Sequence, residues 1–127
     1  MRLEFVSFGY KHPEGVPKGA QFVFDVRRVR NPYHKKELRH TNGLHEKTAK
    51  YVLESQSGRE TYNAISTALL RLAPGTKATG KGHAIIVGVG CTGGHHRSVA
   101  LAQRLASAFQ TLPGYDAVAI HRDLEKP

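Results

Sequence analysis

The segment that most limits how this chain can fold lies in its C-terminal half. Residues 83–88 (HAIIVG) form a short apolar run, bounded as a buried strand would be. A polar turn follows: Gly90-Cys91-Thr92-Gly93-Gly94-His95-His96-Arg97. Leu101, Leu105, Ala108 and Leu112 then recur at helical spacing, Pro113-Gly114 closes the helix, and residues 115–121 (YDAVAIH) read as another strand. Strand, loop, helix, strand is a βαβ unit, which brings parallel pairing with it. Open sheets of this kind take ligands beyond the carboxyl ends of their strands, where residues 88–98 fall.

The rest of the chain extends that pattern. Residues 2–8 read as a strand ending at Gly9, and Pro13, Gly15, Pro17 and Gly19 punctuate a loop. Residues 21–28 (QFVFDVRR) predict a second strand, broken at Asn31-Pro32. Residues 44–55 have a helical pattern with Leu44, Thr48, Tyr51 and Val52 on one face. Ser57-Gly58-Arg59-Glu60 fits a capping box, and Tyr62, Ile65, Leu69 and Leu72 mark the inner face of the helix after it. The expected fold is a small single-domain α/β structure. It has a mixed or mostly parallel sheet flanked by about three helices, and a glycine-rich anion-binding loop between a strand and the last helix. A length of 127 residues suits one domain. No stretch approaches the roughly 18 uncharged apolar residues of a membrane span. The first residues lack a secretory leader's apolar core, and one cysteine makes no internal disulfide, so the expected location is the cytoplasm.

Charge speaks to partners. The 19 Lys and Arg outnumber the 10 Asp and Glu, a net +9. Arg27, Arg28, Arg30, Lys35, Lys36 and Arg39 crowd one segment with His34 and His40, opposed only by Glu37. That is an electrostatic footprint for phosphates, and a plainly solvated surface is its alternative.

Three readings compete for the 88–98 loop. In the first, it cradles an anion: Gly90, Gly93 and Gly94 let the backbone approach closely, the next helix begins there, Arg97 offers a bidentate fork, and Thr92 and Ser98 offer hydroxyls. The plain alternative is a tight turn capped by Ser98. In the second, Cys91 and Arg97-Ser98 make the C-x5-R-S spacing of cysteine-dependent phosphatases, with Asp116 or Asp123 as the general acid, although Gly90 stands where those enzymes place His. In the third, Gly88, Gly90 and Gly93 spell G-x-G-x-x-G, but His121-Arg122 ends the following strand where a dinucleotide fold wants an acid. Cys91, His95, His96 and His121 lack the further ligands of a zinc shell, so no metal and no cofactor is expected. His121-Arg122-Asp123-Leu124 imitates a kinase catalytic loop without the Asn that loop requires.

Gly90-Cys91-Thr92-Gly93-Gly94-His95-His96-Arg97-Ser98-Val99-Ala100 resembles the GCTGGxHRSVA signature of the RapZ family's C-terminal domain. Ser7-Phe8-Gly9-Tyr10-Lys11, Phe24-Asp25-Val26-Arg27, Asn31-Pro32-Tyr33, Leu38-Arg39, Thr41, Gly43-Leu44 and His121-Arg122-Asp123-Leu124-Glu125-Lys126 follow that family's motifs in order. The resemblance implies a non-enzymatic domain that senses an amino-sugar phosphate such as glucosamine-6-phosphate, binds small RNA for an endoribonuclease, and self-associates. It also implies a partner domain with a Walker-type nucleotide site. No G-x-x-x-x-G-K-[ST] occurs here, so nucleotide hydrolysis does not carry over. Departures are a longer 11–19 loop, an inserted Asn42, and arginines at 28 and 30. The chain also ends at Pro127, where the family carries a basic tail, so RNA contact through a tail is not expected. The expected pocket holds a phosphorylated metabolite, an amino-sugar phosphate or nucleotide sugar, through Cys91, Thr92, Gly93, Gly94, His95, Arg97 and Ser98. Ser7, Lys11, Asp25, Arg27 and His121 complete it from neighbouring strand ends.

Overall fold

A computed structural model describes residues 1–127. Four strands, β1 (Arg2–Gly9), β2 (Phe22–Asp25), β3 (Ala84–Cys91) and β4 (Asp116–His121), form one sheet in the order β2-β3-β1-β4. Every pairing is parallel. Three helices accompany them: α1 (Glu46–Leu53), α2 (Gln56–Leu72) and α3 (Arg97–Gln110). Because all strands run the same way, Gly9, Asp25, Cys91 and His121 end along one edge of the sheet. The chain leaves β3 on one side of β1 and returns as β4 on the other. This is the reversal of strand order at which parallel sheets open a crevice.

The alternation of strand side chains builds the core. Leu3 and Phe5 on β1 and Ile85, Val87, Val89 and Cys91 on β3 join Leu101, Leu105 and Phe109 of α3 in one buried cluster. The rings of Phe5 and Phe109 lie 5.7 Å apart. Burying each such side chain stabilises the fold by roughly 1.5–3 kcal/mol. On the opposite face Phe8 is fully buried across Gly88 and Gly90. A Cβ on Gly90 would lie 2.5 Å from Phe8 Cζ and 2.6 Å from Tyr10 Cε2, so this glycine makes room for two aromatic rings.

Several boundaries differ from the sequence expectation. The second strand is only four residues long because the chain turns at Val26, whose N–H still reaches Gly90 O at 2.8 Å. Leu44 precedes α1 and is half exposed; Leu72 ends α2 on the solvent side. The cap of α2 is Ser55, not Ser57: Ser55 Oγ accepts from Gly58 N at 3.0 Å. Ser57 Oγ instead accepts from Arg30 N at 3.0 Å, tying the basic segment to α2.

Candidate functional site

The loop between β3 and α3 is held from outside rather than by its own hydrogen bonds. Tyr10 N donates to Cys91 O at 2.8 Å, Lys11 N to Thr92 O at 3.1 Å, and Gly43 N to His95 O at 2.7 Å. The His12 ring donates through Nε2 to Gly93 O at 3.1 Å. These partners consume carbonyls. From Thr92 to Val99 no backbone N–H donates to another backbone carbonyl, and the first one that does is Ala100 N, to His96 O at 2.9 Å. The orphan amides expected at any helix start are thus extended back along the whole loop.

The two loop glycines have different reasons. Gly94 has φ +78°, and a Cβ there would lie 2.7 Å from Gly9 N and 3.1 Å from Asp123 Cβ, so the fold itself requires glycine. At Gly93 an added Cβ would meet nothing nearer than His95 Nδ1 at 3.7 Å. Packing within the protein does not account for a glycine at 93.

A cavity of about 360 Å³ opens at this loop, lined by Lys11, Asn31, Tyr33, Cys91, Thr92, Gly93, His95, His96 and Arg97. No acidic side chain lines it. Arg97 is buried at 6% exposure, and its guanidinium donates through one nitrogen to the carbonyls of Arg27 and, at 3.4 Å, Val29. No carboxylate pairs with it directly, Asp25 being the acid that feels its charge at longer range, so Arg97 stands without an ion-pair partner beside amides that lack backbone acceptors. His95 donates through Nε2 to Lys126 O at 2.7 Å, and His96 through Nε2 to Arg39 O at 3.1 Å. Burial pushes the His96 pKa down, which favours the neutral ring.

Of the other expected site residues, Cys91 lines this cavity, whereas Ser7, Asp25, Arg27, Ser98 and His121 do not. Cys91 is 2% exposed, and its thiol donates to Ser98 Oγ at 3.1 Å. Ser98 is fully buried in that bond and does not line the cavity. Ser7 Oγ and His121 Nδ1 lie 2.7 Å apart, and His121 Nε2 donates to Gln103 Oε1 at 3.0 Å. Burial lowers the His121 pKa, so Ser7 donates to a neutral ring; this pair joins β1 to β4 beneath α3. Asp25 and Arg27 form a half-exposed ion pair at 2.7 Å, outside the loop cavity. Asp123 is fully buried and accepts from Gly9 N (2.8 Å), Arg122 (2.9 and 3.0 Å) and Lys126 (2.7 Å). Those donors hold its pKa far below the usual carboxylate range, leaving no proton for a general acid to give. Asp116 lies at the opposite end of β4, paired with Arg2 at 2.7 Å. No group of three or more His, Cys, Asp or Glu side chains is placed to hold a metal ion.

The basic segment is not one flat face. Arg28 lines a cavity between β2 and α2. Arg30 stacks on Tyr51, 3.7 Å from the ring centre, and lines a further cavity with Lys35. Arg39 packs over Tyr33 at 5.1 Å, donating to Tyr33 O at 2.9 Å.

The family model for the RapZ C-terminal domain matches residues 1–125. The chain belongs to the RapZ C-terminal domain family. It is 40% identical over 121 residues to a nucleotide-binding protein of Staphylococcus epidermidis, covering 95% of this chain and 39% of that protein. It is 41% identical over 120 residues to one from Corynebacterium glutamicum (94% and 38%). A third, from Heliobacterium modesticaldum, is 40% identical over 126 residues (99% and 40%). The chain therefore spans about two fifths of the length of these relatives.

The motifs that carry the RapZ resemblance converge in space. Lys11 from the first, Asn31 and Tyr33 from the third, and Thr92, Gly93, His95 and Arg97 from the signature share one cavity. Asn31, Tyr33 and His96 were not among the residues expected there. The signal for Asn31 and Tyr33 was present in the ordered Asn31-Pro32-Tyr33 motif, which composition alone reads as a strand breaker, and His96 lies within the 90–100 signature itself.

Proposed function

We propose that this domain is a non-enzymatic binding module that holds a phosphorylated metabolite, an amino-sugar phosphate or nucleotide sugar, on the loop between β3 and α3. The observation that carries the reading is the run of amides from Thr92 to Val99 without backbone acceptors, beside a cavity with Lys11 and Arg97 in its lining and no carboxylate. A phosphoryl group supplies what both lack: several acceptor oxygens and negative charge at the positive end of a helix. Lys11 and Arg97 neutralise it, the Thr92 hydroxyl adds a donor, and the bare Cα of Gly93 lets it approach. Asn31 and Tyr33 offer partners for the remainder of the ligand. That the relatives are named nucleotide-binding proteins agrees with a phosphorylated ligand in general. RNA binding by Arg27, Arg28, Arg30, Lys35, Lys36 and Arg39 is the linked part of the proposal, as is self-association. It predicts affinity that falls steeply with salt.

Calorimetry with glucosamine-6-phosphate and with glucosamine tests the reading. The phosphorylated compound should bind, the unphosphorylated one should bind at least about tenfold more weakly, and Lys11→Ala should erase most of that difference. Equal binding of the two compounds, or a Lys11→Ala protein that still discriminates fully, would overturn it.

A further inference from the structure

The loop cavity does not end at the loop. A second cavity of about 400 Å³ adjoins it, and Lys11, Tyr33, His95 and His96 line both. Its other walls are residues 39–42 and, from the C-terminal segment, Leu124, Lys126 and Pro127, again with no acidic side chain. The two lobes are chemically unequal. The first has the loop amides and the buried Arg97. The second has Tyr33, 54% exposed, and the guanidinium of Arg39, which spends only its Nε hydrogen on Tyr33 O. An exposed aromatic face beside an arginine fork is the usual means of holding a planar ring near a phosphate.

We infer that the cleft takes a two-lobed ligand, a nucleoside diphosphate alone or carrying a sugar. Its phosphates lie on the Thr92–Arg97 loop and its base lies against the exposed part of Tyr33, alongside Arg39. This rests on the phosphate reading above and narrows it. Lys11, His95 and His96, which border both lobes, sit where the diphosphate bridges them. The Asn42 amide and the Thr41 segment are placed to meet the ribose.

Uridine diphosphate, adenosine diphosphate and glucosamine-6-phosphate, titrated separately into the full chain, decide the matter. At least one diphosphate should bind about tenfold or more tightly than glucosamine-6-phosphate. Arg39→Gln should remove most of that advantage while leaving glucosamine-6-phosphate's affinity unchanged, and Tyr33→Leu should weaken the diphosphate several-fold more than it weakens glucosamine-6-phosphate. Magnetisation transfer between nucleobase protons and the Tyr33 ring in the unmodified protein gives a readout independent of any variant. If glucosamine-6-phosphate binds and neither diphosphate gains on it, the two-lobed ligand is wrong and the phosphate reading stands. If diphosphates gain but without Tyr33 transfer or Arg39 dependence, the second lobe is wrongly assigned. If none of the three binds, both inferences fall.

Discussion

Two cavities of this domain invite comparison: the one at the loop between β3 and α3, and the one between β2 and α2. The second is larger, about 510 Å³, with an apolar floor of Val23, Phe24, Ala64 and Ile65. Its polar rim mixes signs, Asp25 and Glu60 against Arg28. The loop cavity is smaller but single-signed, and a buried arginine without a carboxylate lies beside it. Size reports where helices fail to cover a sheet edge. The proposed function rests on unspent interaction rather than size: amide donors without backbone acceptors, beside cations with no carboxylate in the same lining.

The largest expected effects separate scaffold from site within the loop itself. Replacing Asp123 by Asn keeps the shape but removes a buried anion facing three groups of donors, and should lower the urea-unfolding free energy by about 3 kcal/mol. Its depressed pKa also fixes a sign. The stabilisation is fully present above the usual carboxylate range and is lost as pH falls through about 4 toward the folded value. Acid unfolding of Asp123→Asn should therefore begin from a lower plateau and be less steep. A variant with unchanged acid sensitivity would show that Asp123 does not anchor the C-terminal segment.

Next come the two glycines. Gly94→Ala forces a positive φ on a Cβ-bearing residue against Gly9 N and should cost about 2 kcal/mol of stability. Gly93→Ala has space and should change stability by under about 0.5 kcal/mol, while weakening phosphate-ligand binding about tenfold or more. Equal stability loss at both positions, seen in thermal melts, would erase the distinction between them. Between cavities, Lys11→Ala should reduce phosphate-ligand affinity where Glu60→Ala in the β2–α2 cavity leaves it unchanged, with calorimetry as the check. The smallest effect is expected at Cys91→Ser. The thiol is packed in the core and bonded to Ser98, so ligand affinity should stay within about twofold. The unmodified protein should show no turnover of an aryl phosphate. Turnover abolished by Cys91→Ser would restore a phosphatase.

The fold was largely legible because hydrophobic periodicity is a local signal. The runs around β1, β3 and β4 and the spacing in α3 needed no tertiary information. The short β2 did not show its length, since its last pairing depends on Gly90 of another strand. The cap at Ser55 was hidden by an equally good pattern two residues later. At the site, Lys11, Thr92, Gly93, His95 and Arg97 could be named from strand ends and motif. Ser7 and His121 also end strands, but their side chains meet under α3 instead of in the cleft. A strand's position is readable from sequence, whereas the face each terminal side chain takes depends on register with its neighbours. The arrangement of the basic segment was hidden in the same way: cations adjacent in the chain are distributed by the turns after Asp25 among separate cavities.

The most direct test of the account is an amide-resolved NMR titration with glucosamine-6-phosphate. The largest shifts should fall on the N–H groups of Gly93 to Val99, moving downfield as they acquire an acceptor, with Val23, Thr61 and Ile65 unmoved. Shifts concentrated around Val23 and Thr61 with the loop amides silent would contradict it.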